Sequence, residues 1–145
     1  MPDSKVYATS FFCERLLTEK DNAMSAIRLS DTWHFALRPD NTPTAVALIE
    51  TNFVTLLKCE TAKQFTAKVV GTRPDGSVFG REEFPVSLPG GIAGHVIVMP
   101  MLFQVSVFGL HWMEVFVDEE MIQKTPLLAK LDPAAETPGQ DLSGS

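Results

Sequence analysis

Residues 64–85 read QFTAKVVGTRPDGSVFGREEFP, two strand-like runs joined by the tetrapeptide Arg73-Pro74-Asp75-Gly76. Proline presets the backbone φ of a turn, aspartate bonds back to the backbone that follows it, and glycine takes positive φ without steric strain. The stretch therefore predicts a β-hairpin whose strands are residues 64–72 and 77–85.

Turn signals and strand patterns continue on both sides of this hairpin. Lys20-Asp21-Asn22 is a second turn signal, because Asp and Asn tolerate left-handed φ, and it predicts that residues 6–17 and 23–35 pair as a hairpin. Further strands are predicted at residues 44–51, 96–108, 110–118 and 121–131, and residues 52–62 fit either a strand or a helix. About eight strands with little helix predict an all-β fold, an antiparallel β-sandwich.

A single domain is expected from 145 residues and 15.9 kDa. A chain of that length can bury about two-thirds of its extended surface, so it needs no disulfide or metal to hold a core. We assign the β-sandwich to residues 1–131. Residues 132–145 are small, polar and rich in Pro and Gly, so we expect a disordered C-terminal tail.

Charge excludes some classes of partner. The formal net charge is −6 and no two Lys or Arg residues are adjacent. Nucleic-acid binding and binding to an anionic membrane surface both need a basic patch, so we expect neither. Residues 96–117 are long and apolar enough for a membrane span, but Pro100, Gly109 and an alternating second half favour strands.

The cysteine content indicates the compartment. Cys13 and Cys59 do not make a disulfide framework, and the opening residues 1–5 lack the apolar region of a secretory signal. We therefore expect a cytoplasmic protein in which both thiols behave as small apolar side chains.

The residues that carry catalytic or metal chemistry do not occur at suitable spacings. His111 and Glu114 would share a face on a helix but point to opposite faces of a strand, and His34 and His95 add no paired ligand. The glycines near residue 90 lack the adjacent lysine and the following helix of a phosphate-binding loop. We assign no catalytic residue, no metal ligand and no cofactor, and lean towards a protein that is not an enzyme.

The first predicted hairpin carries a charged cluster of Glu14, Arg15, Arg28 and Asp31. If the turn lies at residues 20–22, Glu14 falls opposite Arg28, and a cross-strand ion pair is expected. The structural interpretation is that this pair helps to fix the register of the hairpin. The functional interpretation is an anion site or partner site built on Arg15 and Arg28.

The apolar run at residues 96–103 is the second candidate site. Its residues are apolar at both odd and even positions, so both faces of the predicted strand need cover. It is either a central strand of the sandwich or a surface that faces another copy of the chain, and we favour self-association. The candidate interface residues are Val96, Ile97, Val98, Met99, Met101, Leu102 and Phe103.

The opening residues also carry a resemblance. Residues 8–15 read ATSFFCER, residues 19–22 read EKDN and residues 25–31 read SAIRLSD, followed later by the Pro-Asp-Gly turn at residues 74–76 and a closing segment at residues 115–127. This combination resembles a family of small uncharacterised bacterial proteins, a domain of unknown function with a predicted β-sandwich. The resemblance implies the fold and carries no activity.

Taken alone, the sequence predicts a protein that works by contact. We expect a non-catalytic interaction or structural module of the bacterial cytoplasm that forms a homo-oligomer or binds a protein partner. The first alternative is a small-ligand-binding β-sandwich with an anion anchor at Arg15 or Arg28. The second alternative is a small enzyme of unknown reaction.

Overall fold

The computed structural model describes residues 5–18, 20, 23–36, 48–91 and 93–132. Within these residues the chain forms nine strands and no helix, so the predicted all-β class is confirmed. The strands are β1 (Val6–Thr18), β2 (Met24–Leu29), β3 (Thr32–Ala36), β4 (Leu48–Cys59), β5 (Lys63–Thr72), β6 (Val78–Leu88), β7 (Gly94–Gln104), β8 (Gly109–Val117) and β9 (Glu120–Asp132).

The strands form two sheets that pack face to face. The four-stranded sheet has the order β2-β1-β4-β7, and the five-stranded sheet has the order β3-β9-β8-β5-β6. All neighbouring strands are antiparallel except β3 and β9, which are parallel. No helix in the described part of the chain is long and apolar enough to cross a bilayer.

The hairpin of β5 and β6 closes with the predicted turn. The Gly76 N–H donates to the Arg73 carbonyl at 2.9 Å, and Gly76 has a φ of 88°. The Asp75 carboxylate accepts hydrogen bonds from the Ser77 hydroxyl at 2.6 Å and the Ser77 N–H at 3.0 Å. These bonds hold the pKa of the Asp75 carboxyl below its usual value.

The prediction of one strand over residues 23–35 is wrong, because the chain changes sheets within it. β2 pairs with β1 as the predicted hairpin, whereas β3 pairs with β9 in the other sheet. Arg28 has a φ of 57°, which ends the extended backbone of β2. At the crossover the Ser30 N–H donates to the Phe12 carbonyl at 3.3 Å, and the Asp31 carbonyl accepts from the Leu128 N–H at 2.7 Å.

Three other predictions are either resolved by the structure or lie outside the residues that it describes. The ambiguous residues 52–62 are strand as far as Cys59, the end of β4. Asp21 and Asn22 of the second turn signal lie outside the described residues, and the predicted pairing of the flanking strands is present, with Thr18 opposite Met24. The predicted tail also lies outside the described residues except for Asp132.

The core lies between the sheets and follows the alternation of the strands. The largest fully buried side chains include Ile49, Phe53, Leu57, Met113 and Leu127. Each such side chain contributes about 1.5–3 kcal/mol relative to an exposed one.

The core closes at the edge between β6 and β7, where the rings of Phe79 and Phe103 stack with centroids 4.6 Å apart. The Phe79 ring lies over Gly71, where a Cβ would be only 2.6 Å from the ring. A residue without a side chain is therefore required beneath this stack.

Candidate functional site

The four-stranded sheet divides into two ribbons near one end. β1 pairs with β4 from Val6 to Cys13, where Cys13 lies opposite Asn52. From there to its end at Thr18, β1 pairs only with β2 among the described strands. The corresponding part of β4, from Leu48 to Thr51, pairs only with β7 among them. We call the gap between the two ribbons the fork.

Two side chains of β4 bond to β1 where the ladder ends. The Thr51 hydroxyl donates to the Cys13 carbonyl at 3.1 Å, and the Asn52 amide nitrogen donates to the Glu14 carbonyl at 2.9 Å. Thr51 is 5% exposed. The buried Cys13 carbonyl requires a hydrogen-bond partner, and the bond to the Glu14 carbonyl adds a second, exposed link, so these two bonds hold β1 in place at the fork.

A cavity of about 640 Å³ opens at the fork. Cavities of about 300–1,000 Å³ are typical of small-molecule sites. The apolar part of its lining is Trp33, Pro100, Met101 and Leu102. Its ionisable side chains are Glu14, Arg28, His34 and Glu50. The fork thus brings charged and apolar side chains together around one cavity.

The expected ion pair of the first hairpin lies at this cavity. Arg28 Nε is 3.3 Å from Glu14 Oε2, and both side chains are largely exposed. Exposed ion pairs contribute about 0–1 kcal/mol, so this one orients the two groups more than it stabilises the fold. His34 Nδ1 lies 3.1 Å from a carboxylate oxygen of Asp132. Glu50 makes no ion pair with any residue that the structure describes.

The other two members of the predicted charged cluster lie apart from the cavity. Arg15 is exposed, lies opposite Ile27 and does not line it. Asp31 is in the link between β2 and β3, where its carboxylate accepts a hydrogen bond from the Thr32 hydroxyl at 3.1 Å. The structure therefore brings Glu14 and Arg28 together and places Asp31 at the crossover between sheets.

The predicted interface strand, β7, is an edge strand among the described strands, so the alternative in which it is a central strand of the sandwich does not hold. Its side chains alternate between two faces. Those in or against the core are Ile97, Met99, Met101 and Phe103. Val98 and Leu102 point outward and are 42% and 67% exposed. Four of the seven predicted interface residues are in or against the core, and the other three, Val96, Val98 and Leu102, are on the outward side.

Apolar side chains cover the neighbouring strands on the same outer side. Phe11, Val54 and Val98 are directly opposite one another across β1, β4 and β7. Val54, at the centre of this row, has no exposed surface, because its neighbours cover it. Leu29 on β2 is 62% exposed. We call this surface the outer apolar face, and define it as Phe11, Leu29, Val54, Leu56, Val96, Val98, Pro100 and Leu102.

The outer face of the five-stranded sheet has a different character. Lys68 Nζ lies 4.7 Å from the centre of the Phe116 ring, and Lys124 Nζ lies 4.4 Å from the centre of the Trp112 ring. Lys124 is also opposite Glu114. Lysine stems and ammonium groups that lie over aromatic rings keep them from forming an apolar patch.

Prolines interrupt two exposed edges of the sandwich. Pro100 lies in β7 and Pro85 lies in β6, each an edge strand of its sheet. Proline lacks an N–H and is accepted in edge strands where its nitrogen faces away from the sheet. Extension of either sheet by another strand at these edges is therefore disfavoured, whereas the outer apolar face carries no such obstacle.

Two buried ionisable groups have shifted pKa values. His111 is buried against Phe79 and Phe103, with ring centroids 5.8 Å apart in each pair. Its burial lowers its pKa, although a hydrogen bond to the Gly109 carbonyl opposes the shift. Burial raises the pKa of the Cys13 thiol. Among the described residues no three His, Cys, Asp or Glu side chains are grouped as metal ligands.

Several residues at the fork were not found from the sequence. Trp33, Glu50, Thr51 and Asn52 line the cavity together with Glu14 and Arg28. Glu50, Thr51 and Asn52 come from β4, which is separated in the sequence from the first hairpin, whereas Trp33 comes from β3, which the sequence analysis assigned to the hairpin itself. No local motif marks them, because strand pairing and the change of sheet bring them together.

Comparisons with known proteins add no family. No family model and no curated protein matches the sequence. Part of the alkylpurine DNA glycosylase of Pseudomonas fluorescens is similar, with a TM-score of 0.49 and 12% identity over 86% of this chain and 30% of that chain. A β-glucosidase from Listeria innocua has a TM-score of 0.48 and 12% identity over 91% of this chain and 17% of that one.

A third similar structure is an immunoglobulin-like protein from Pseudomonas aeruginosa, with a TM-score of 0.43 and 13% identity over 87% of this chain and 97% of that chain. This chain spans only 30% and 17% of the two enzymes named above. Likenesses this distant carry no functional argument, so the site has to be interpreted from its own residues.

Proposed function

We propose that this protein is a non-catalytic contact module that associates with a second copy of itself through the outer apolar face. The observation that carries the proposal is the contrast between the two sheets. Phe11, Val54 and Val98 form an apolar row across three strands of one outer face, whereas on the other outer face lysines lie over two aromatic rings. Monomeric proteins rarely leave large apolar patches exposed, and such patches mark interfaces.

The dimensions of the face suit a dimer. Four strands at a spacing of about 4.8 Å and a β4 length of 12 residues rising about 3.3 Å each give a face of at most about 750 Å². Stable interfaces bury about 800 Å² per partner. The face is therefore close in size to what two copies need.

The charges at the two ends of β4 suit a two-fold arrangement. Glu50 and Lys58 are both exposed on the outer side and lie four residues before and after Val54. A two-fold axis along the row of Phe11, Val54 and Val98 packs this row against itself and brings Lys58 of each copy over Glu50 of the other. A two-fold interface uses the same patch twice, so complementary ends on a single strand favour a second copy as the partner.

The test compares two valine-to-lysine variants by sedimentation equilibrium. Val98 is 42% exposed on the outer apolar face, and Val78 is 55% exposed on a strand of the other sheet. We expect Val98→Lys to raise the dissociation constant of the dimer at least a hundredfold, about 2.7 kcal/mol, because it places two ammonium groups against each other in the apolar row of the interface.

The matched variant Val78→Lys adds the same charge and should leave the dissociation constant unchanged within about threefold. A wild-type chain that is monomeric up to about millimolar concentration, a range in which only very weak association is missed, contradicts the proposal. Equal effects of the two variants contradict the choice of face.

A further inference from the structure

We propose that the cavity at the fork binds an organic cation, an ammonium or guanidinium group carried on an apolar stem. The inference goes beyond self-association and concerns the single copy, because Lys58 of a second copy, in the arrangement proposed above, would engage the same Glu50 carboxylate. It rests on three features of the cavity: apolar lining residues that include an indole ring, a carboxylate that pairs with no described cation, and a single guanidinium that is already engaged.

The apolar part of the cavity lining suits the apolar stem of an organic cation. Trp33 meets Phe12 edge-on, with ring centroids 6.2 Å apart and an interplanar angle of 89°, and this contact fixes the indole. Met101, 7% exposed, belongs to the core and lines the same cavity. Indole is the aromatic ring that attracts cations most strongly, and a methionine side chain adapts to varied apolar shapes.

The charges around the cavity favour a cation. Glu14 and Glu50 supply two carboxylates, and Arg28 supplies one guanidinium. Arg28 is held by Glu14 at 3.3 Å, so the carboxylate that stays available is Glu50. The net charge of −6 on the whole chain adds a field of the same sign. A ligand that brings one positive charge would therefore neutralise the carboxylate that is left over in the cavity.

The same lining disfavours an anion. An anionic ligand would have to displace Glu14 from Arg28 while Glu50 faces the same space. Arg15, the second cation of the hairpin, does not line the cavity. The alternative with an anion anchor at Arg15 or Arg28 thus has less support from this geometry than a cation site has.

The required chemistry occurs in two sources, a basic side chain of a peptide and a free alkylamine. The probes are N-acetyl-arginine amide for the first source and n-butylammonium chloride for the second. N-acetyl-glutamine amide is the neutral control, and N-acetyl-glutamate amide is the anionic control. The readout is the fluorescence of Trp33 in a Trp112→Phe background, because Trp33 and Trp112 are the two tryptophans of the chain.

The titration is made in the Val98→Lys variant, whose substitution leaves every residue of the cavity lining in place. Failure of the self-association proposal then has no effect on the result. We expect saturable binding of the arginine probe, the butylammonium probe or both, and none of the neutral or anionic probes. Binding of the arginine probe alone identifies a peptide side chain as the source, and equal binding of both identifies the cation itself as the determinant.

Two glutamate variants test the carboxylate. Glu50→Gln should weaken binding at least tenfold, whereas Glu82→Gln, an exposed position in β6, removes the same charge and should leave binding within about twofold of the parent. Equal urea midpoints for the two variants show that the fold is intact. The proposal is overturned by equal affinities in the two variants, by binding of the neutral or anionic probe, or by no saturable change up to about 10 mM of either cation.

Discussion

Replacement of Thr51 by valine tests whether the fork is held in the way described. The Thr51 hydroxyl donates to the Cys13 carbonyl at 3.1 Å from a position that is 5% exposed. Valine has nearly the same shape but no donor, so the substitution leaves a buried carbonyl without that bond. Cys13 is itself fully buried, so water cannot easily replace the hydroxyl.

The expected loss follows from this burial. An unsatisfied buried polar group costs about 1–3 kcal/mol, whereas an exposed hydroxyl costs little when removed. We therefore expect Thr51→Val to lower the free energy of unfolding by about 1–3 kcal/mol, a large share of the about 5–15 kcal/mol that is typical of a domain. The ribbon of β1 and β2 should also exchange its amide hydrogens faster, because its link to β4 is weakened.

The assay is urea unfolding, with Thr66→Val as the matched control. Thr66 is exposed on a strand of the other sheet, and its replacement should change the free energy of unfolding by no more than about 0.5 kcal/mol. If the two variants lose the same stability, or if Thr51→Val loses none, the hydrogen bond at the fork does not hold β1 as we argue.

Three further predictions concern single positions. Burial lowers the pKa of His111, so the contribution of His111 to stability should be complete above the ordinary histidine pKa of about 6.5 and should be lost as the pH falls below that value. Unfolding midpoints measured between pH 7.5 and 5.5 should show this loss. The variant His111→Phe should lack this part of the pH dependence. Gly90→Ala should lower the free energy of unfolding by more than about 2 kcal/mol, because a Cβ there would lie 2.8 Å from the Ala62 nitrogen at a φ of 89°. Gly91→Ala meets no atom within 4 Å and should lower it by about 1 kcal/mol. Equal losses of the two variants in urea unfolding would contradict the steric argument. Burial and a raised pKa should keep the Cys13 thiol unreactive to a thiol reagent in the native state, and rapid modification of it would contradict its placement.

Local chemistry made the hairpin of β5 and β6 predictable. Pro74, Asp75 and Gly76 each supply a conformation or a hydrogen bond within the turn itself, so no distant residue has to be known. The pair of Glu14 and Arg28 was accessible for the same reason, because counting from a short turn fixes which residues are opposite.

The change of sheet between β2 and β3 was not predictable in this way. Ile27, Leu29, Trp33 and Phe35 keep one parity through the crossover, so the pattern gives no sign of a break. The break depends on hydrogen bonds from Ser30 to β1 and from β9 to the link, and both partners are remote in the sequence. The cavity depends on that crossover, which explains why the sequence did not predict its apolar lining.

The apolar run in β7 was recognised but not divided between its faces. Apolar residues at both parities show that both faces are covered, and they do not show by what. The inward side packs in the core, and the outward side shares rows with β1 and β4. Only the pairing of three strands reveals that the outward residues belong to one continuous apolar surface.

The most direct test of self-association through the outer apolar face is a distance measurement between two copies. A nitroxide is attached at Thr9→Cys, an exposed position beside that face, or at Gln64→Cys on the outer side of the five-stranded sheet. Packed sheets lie about 10 Å apart, so we predict a dipolar distance between copies on the order of 10–30 Å from position 9. Position 64 should give a longer distance or none. No coupling at position 9, or a shorter distance from position 64, would contradict the account.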